Sequence, residues 1–241
     1  MLELSRVSKN YHALRPLRID QLAIEPGEHV AVAGIDEHAA EVLVNLVTGA
    51  TLPDQGVVRI LGRPTSSISD SSEWLAVVDR FGIVSERAVL LEGLSVAQNL
   101  AMPFSLDIEP LDAPLRDRAI ELAREVGLEE REWDRRLGEL GSLARLRVRL
   151  GRALALDPVI VLFEHPSAAL TRADAIPTGR EIRRTIERRR LPGGKGMASL
   201  TLTADLDFAG AIATRVLTLD PVSGRLADHR RGWFGRGTAS L

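Results

Sequence analysis

The opening residues LELSRV alternate apolar and polar side chains at period two, as a half-buried strand does. LRIDQLAIEPGEHVAVAG supplies two further strands around a turn at Pro26-Gly27. Residues 41–47 carry apolar side chains on most faces, which predicts a buried helix. Asp54-Gln55-Gly56 and Leu61-Gly62-Arg63-Pro64 bracket a short strand, VVRIL, so the first quarter reads as β-rich with one helix wedged inside it. Residues 81–84 form the next short strand. From about residue 87 to 145 the spacing changes: LSVAQNLAMPF and PLRDRAIELAREVGL place apolar residues three and four apart, a mainly helical pattern. Pro103, Pro110 and Pro114 break it into segments. ARLRVRLGRALALDP then runs into VIVLF, a continuous apolar stretch suited to a central strand covered on both faces. After Pro177 come an arginine-rich helix (GREIRRTIERRR), a glycine loop (LPGGKGMAS) and two final strands, ASLTLT and RVLTLD. Strands alternating with helices imply an α/β fold with a parallel sheet and right-handed crossovers.

Composition narrows the setting. The 241 residues suffice for one large α/β domain, or for a core with a lobe attached. Hydrophobic residues make up 45% and charged residues 27%, as in ordinary globular proteins. A net charge of −2 gives no reason to expect nucleic acid as a partner. With no cysteine there is no disulfide, thiolate metal site or cysteine nucleophile, and a cytosolic setting fits. No apolar run approaches the ~18 residues that would span a bilayer. The first residues, MLELSRVSKNYH, do not resemble a signal peptide. Any role at a membrane is expected from outside the bilayer.

The candidate chemistry begins at GIDEHAAE, residues 34–41, between the strand HVAVA and the predicted helix. A strand, a glycine turn and a helix N-terminus together make a place where backbone N–H groups hold phosphate. This turn, however, carries three acids and no lysine. Three other stretches give it context: TGATLPDQGVVRILGRP, FGIVSERAVLLEGLSVAQNLAMPF and RLRVRLGRALALDPVIVLFEHPSAAL. With IEPGEHVAVAG they resemble, in order and spacing over residues 2–220, the nucleotide-binding subunit of ABC transporters. The stretches are similar to that family's strand into the phosphate loop, the segment after the loop's helix, the Q-loop with the helical-subdomain entry, and the post-signature helix with Walker B and D-loop.

The resemblance implies a P-loop NTPase-like ABC ATPase core, with an antiparallel β subdomain and an inserted helical subdomain. Motif by motif, its chemistry is altered. The phosphate loop G-x-x-x-x-G-K-[ST] falls on Gly34, Ile35, Asp36, Glu37, His38, Ala39, Ala40 and Glu41, so only its first glycine is kept. A charge-assisted bond contributes roughly 1.5–3 kcal/mol, so losing the lysine alone weakens phosphate binding about tenfold to a hundredfold. Glu41, at the Mg²⁺-holding hydroxyl position, adds repulsion of up to ~4 kcal/mol against a phosphate charge about 4 Å away. Asp36 and Glu37 lie where the helix favours anions, so the chain's own carboxylates are expected to cap it. The register from Asp157-Pro158 to Pro166 puts Glu164 at the Mg²⁺-positioning aspartate and His165 at the catalytic glutamate. A neutral imidazole can accept a proton but lacks the standing charge that polarises an attacking water, and the plainer reading packs His165 at a strand end. The switch histidine falls on Ala204, and the Q-loop glutamine on Glu86. The signature LSGGQ falls on Leu140-Gly141-Ser142-Leu143-Ala144, which keeps Gly141 and Ser142 but not the glycine pair. Tyr11 lies where an aromatic would stack on adenine; covering the core at a strand end is the alternative.

The glycine run at residues 193–196 follows a helix and precedes a strand, the wrong context for a phosphate loop, and reads as a turn. Residues 180–190 hold six arginines and two glutamates, a solvated face with ion pairs or, alternatively, a contact for anionic headgroups. Residues 230–236 form a basic, aromatic tail, read as a frayed terminus with docking as the alternative. The expected division is a core of residues 1–86 and 146–220, a helical subdomain of about 87–145, and a tail of 221–241. The leading expectation is a pseudo-ATPase subunit, cytoplasmic and peripheral to the inner membrane. It would pair with a transmembrane permease that docks near residues 87–104, and form a homodimer or a heterodimer with another ABC ATPase subunit. ATP and Mg²⁺ enter by resemblance only, with Glu41 and Glu164 as the metal ligands if Mg²⁺ binds. The alternatives are a slow but functional ATPase subunit and a free-standing regulatory scaffold. LEGLSVAQNLAMPF also resembles subfamilies that move lipids or lipoproteins.

Overall fold

In the computed structural model, which describes residues 1–229, the chain runs β1 (Leu2–Lys9), β2 (Leu17–Ile24), β3 (His29–Ala33), α1 (Glu37–Val47), β4 (Gln55–Ile60), β5 (Arg63–Pro64) and α2 (Ser71–Val78). It continues through β6 (Phe81–Val84), α3 (Val96–Ala101), α4 (Ala113–Glu125), α5 (Ser142–Leu154) and β7 (Ile160–Glu164). The last elements are α6 (Arg172–Arg188), β8 (Ala198–Thr203), α7 (Leu206–Ile212), β9 (Arg215–Leu219) and β10 (Leu226–Asp228). The basic, aromatic stretch 230–236 lies outside the described residues.

Two sheets result. One is antiparallel with strand order β2-β1-β4-β5; the other has order β10-β9-β3-β8-β7-β6 and is parallel except for β10. Side-chain alternation explains how both sheets share one core. Val30 and Val32 of β3 join α1 and the inner face of the antiparallel sheet, while Ala31 and Ala33 face the helices α3 to α7. β7 divides in the same way, with Ile160 and Leu162 on the first side and Val161 and Phe163 on the second. A strand buried on both faces is mostly apolar, hence the runs VAVA in β3 and IVLF in β7, with the buried polar residues His29 and Glu164 at the strand ends. Five consecutive parallel strands place their C-terminal ends along one edge, where open α/β sheets carry their sites.

The structure departs from the pattern-based expectations at five places. α1 starts at Glu37 rather than residue 41, because Asp36 caps it. α2 exposes at least part of every side chain and so shows no apolar face; Asp70, accepting from the amides of Ser72 and Glu73, starts it. β10 lies in the stretch assigned to the tail and pairs antiparallel with β9, being too short to show a period. α5 spans the expected boundary at 145/146, its buried face running unbroken from Ala144 to Leu154. α6 starts five residues before Pro177 and continues through it. Its face Ala175, Thr178, Gly179, Ile182 and Ile186 packs on α7, and burial outweighs the lost backbone bond. The arginine-rich face is only partly solvated: Arg189, just past α6, pairs with Glu125 at 2.5 Å and Asp157 at 2.9 Å.

Candidate functional site

The site lies at the C-terminal ends of β3, β6, β7 and β8. Gly34 leaves β3 at φ 78°, a left-handed conformation suited to glycine, and its N–H donates to the Thr203 carbonyl on β8 at 2.9 Å. The chain then dips inward at buried Ile35 and emerges at Asp36. Asp36 Oδ1 accepts from the Ala39 amide at 2.8 Å, and the Asp36 carbonyl accepts from the Ala40 amide at 2.9 Å. Two amides of the helix start are thus engaged by one residue, in a cap that contributes about 1 kcal/mol. Glu37 stays exposed in the first turn. His38 turns back over Tyr11, with ring centroids 5.9 Å apart and planes 24° from parallel. An open cleft of about 600 Å³ lies between these rings and Asp36. Partial burial, then the Asp36 charge, push the Tyr11 hydroxyl above its usual range.

Glu41 and Glu164 are joined by a residue the motif reading did not use. Arg87, just beyond β6, places Nη2 at 2.7 Å and Nε at 3.2 Å from Glu164 Oε2, and Nη1 at 2.9 Å from Glu41 Oε1. Glu164 is only 8% exposed, whereas Glu41 and Arg87 are about half exposed, at 42% and 44%. A guanidinium therefore lies between the two carboxylates to which the resemblance assigns Mg²⁺. The guanidinium bonds to both carboxylates and occupies the space between them, and among the described residues no three His, Cys, Asp or Glu side chains gather as a metal site. In this arrangement the residues do not fit a divalent cation between Glu41 and Glu164.

The remaining motif positions point elsewhere. Glu86 turns away to α5, where both its oxygens accept from Arg149 at 3.0 and 3.2 Å. His165 sits at the end of β7 with φ 45° and donates its backbone N–H to Leu202 at 2.8 Å. Its Nε2 is buried and has no hydrogen-bond partner. Ala204 is exposed just past β8, and the next residue, Asp205, caps α7. Gly141 and Ser142 start α5 without a side-chain cap; among the described residues neither bonds to residues 34–41. Sequence reasoning missed Arg87 and the Tyr11–His38 stack. The available signal for Arg87 was its place: an arginine three residues past a strand whose C-terminal end lies beside two acids.

No family model matches the chain. The sulfate/thiosulfate import ATP-binding protein CysA of Methylococcus capsulatus is 30% identical over 226 residues, covering 91% of this chain but only 60% of that relative. The aliphatic sulfonates import ATP-binding protein SsuB of Albidiferax ferrireducens is 30% identical over 228 residues, covering 94% of this chain and 72% of the relative. Among solved structures, the dimeric bacterial ABC transporter cassette MJ0796 superposes with a TM-score of 0.71 at 25% identity, over 94% of this chain and 96% of that one. A two-sheet core with helices on its second face, a glycine turn into α1 at the sheet's C-terminal edge, and relatives that align over nearly the whole chain all agree: this chain belongs to the family of ABC transporter ATP-binding subunits.

Proposed function

We propose that the chain serves a membrane transport complex as an ATP-binding-type subunit that has kept the cassette fold and does not hydrolyse nucleotide. The observation that carries this reading is Arg87 held between Glu41 and Glu164. A magnesium ion entering there would have to displace a guanidinium and leave it beside the metal. A phosphate would meet Glu41 and Asp36 with no lysine opposite. An adenine would meet His38 already on Tyr11. Each part of a magnesium–nucleotide thus finds a side chain of this chain in its place. His165 and Ala204 supply neither the standing negative charge nor the imidazole that resemblance to the family asks for at those positions.

The proposed partners are a transmembrane permease, docked near residues 87–104, and a second ABC subunit, either another copy or an active ATPase. Among the described residues no helix is long and apolar enough to cross a membrane, which suits attachment at the cytoplasmic face through partners. Isothermal titration with MgATP is expected to show no saturation in the micromolar range, and a phosphate-release assay no turnover. Micromolar binding with turnover abolished by Glu164→Gln would overturn the reading in favour of a slow ATPase. Purification of the native chain is expected to bring an integral membrane protein with it. Its absence removes the transport assignment.

A further inference from the structure

Residues 85–95 connect β6 to α3, and with it to the mainly helical part of the chain. They form no regular element, yet they are tied down at both ends. On the helical side, fully buried Asn99 donates to the Leu91 carbonyl at 2.9 Å and accepts from the Leu91 amide at 3.0 Å; the Leu94 carbonyl accepts from Leu137 N–H at 2.9 Å. In the middle, Glu86 is held by Arg149, and the Val89 carbonyl accepts from Arg152 at 2.7 Å. On the sheet side the tie is Arg87, which reaches α1 through Glu41 and the end of β7 through Glu164. These partners lie 46 and 77 residues away, so one side chain fastens three separate parts of the fold.

We propose that Arg87 is a built-in latch, a permanent cation that fixes this connecting segment to the sheet core and so holds the helical part in one position irrespective of nucleotide. The inference rests on the reading above and gives it a regulatory content. An exchangeable ion would let the segment engage and release as the ligand came and went. A covalently attached guanidinium cannot leave. Opening the latch breaks three charge-assisted bonds and strands Glu164, which is 8% exposed, without a counterion. The subunit would then present a constant face to its partners, and of the two proposed ABC partners only an active ATPase, not another copy, could drive the transport cycle.

Hydrogen exchange on the full chain tests this, because the amides of Arg87, Ala88, Leu91 and Leu94 are all hydrogen-bonded within the segment or to α3. Arg87→Gln is expected to speed their exchange by about tenfold or more, the rise that loss of one charge-assisted bond gives to a local opening equilibrium. Arg87→Lys, which keeps the charge but not the fork, should recover part of the protection. Arg63→Gln, which breaks the exposed pair with Glu73, should change nothing in the segment. Protection unchanged in Arg87→Gln, with wild type still blind to MgATP, overturns the latch and leaves the proposed function standing. Saturable MgATP binding with turnover by wild type overturns the proposed function itself. If Arg87→Gln does not fold, Glu41→Gln removes only the half-exposed arm: faster exchange confined to residues 85–95 supports the latch, and no change sinks it.

Discussion

Arg87 and Glu164 do not contribute symmetrically to their pair, because one is half exposed and the other is nearly buried. Removing the arginine leaves a desolvated carboxylate unpaired; removing the carboxylate's charge leaves an arginine that still reaches Glu41 and water. Loss of one partner of a buried pair costs roughly 3–5 kcal/mol, and the exposure of Arg87 reduces this, so Arg87→Ala is expected to destabilise by about 2 kcal/mol. Glu164→Gln should cost less than about 1 kcal/mol. Urea titrations at neutral pH check the order, and equal or inverted losses would show that Glu164 does not depend on Arg87. This is also the scale at which the sequence was least legible. The register from Asp157-Pro158 to Pro166 placed Glu164 at the head of the site, and the strand–glycine–helix pattern placed residues 34–41. Neither could place Arg87, whose partners lie far away in the chain and meet it only once β6 and β7 are paired. The Tyr11–His38 stack was hidden for the same reason, since a turn's side-chain directions follow from tertiary packing.

Elements with two buried faces or a sustained period were readable; short or one-sided ones were not. β7 announced itself as VIVLF, and β6 matches its pattern at both ends, because the runs Ile160–Phe163 and Phe81–Val84 hold no polar side chain to confuse the reading. α2 and β10 gave no such signal, being exposed or only three residues long. Pro177 is the instructive failure. It reads as a helix boundary, yet it occupies the middle of the first half of α6. Gly179 explains why the helix goes on: a Cβ there would sit 3.0 Å from the Ala211 side chain and 3.3 Å from Phe208, so α6 and α7 approach closely along a face that a break would pull apart. The proline costs a backbone bond that packing outweighs. Pro177→Ala is therefore expected to stabilise the chain by about 1–2 kcal/mol, less than the ~3 kcal/mol of an isolated helix because proline also restricts the unfolded chain. A thermal melt decides it, and a lower midpoint for the alanine variant would mean that the local backbone at Pro177 is already relaxed.

At the scale of the whole molecule, both halves of the core meet on β3, and the start of that strand carries a buried titratable group. His29 is 3% exposed, with Nδ1 at 3.0 Å from Ser199 Oγ on β8, while its carbonyl accepts from the amide and hydroxyl of Thr214. Burial, and secondarily Arg183, hold its imidazole below the usual histidine range, against the opposing pull of Glu187 and Glu28. The sign follows from proton counting. Above the unfolded value of about 6.5 both states are neutral at this position and it adds no pH dependence. As pH falls below that value the unfolded chain takes up a proton that the folded chain refuses, so stability is lost progressively down to the depressed folded value. The slope from one such group is at most about 1.4 kcal/mol per pH unit. The carboxylates held low by hydrogen bonds, such as Asp134 against Arg116, add their own loss only nearer pH 4, the ordinary carboxylate range. The two windows can therefore be separated. His29→Asn keeps a group within reach of Ser199 but removes the titration. It is expected to lower stability at pH 8 through lost packing while flattening the fall that the wild type shows as pH drops below about 6.5. Urea midpoints measured across that range provide the check. A variant that keeps the wild-type slope would show that the acid sensitivity lies elsewhere and that β3 tolerates a charged His29.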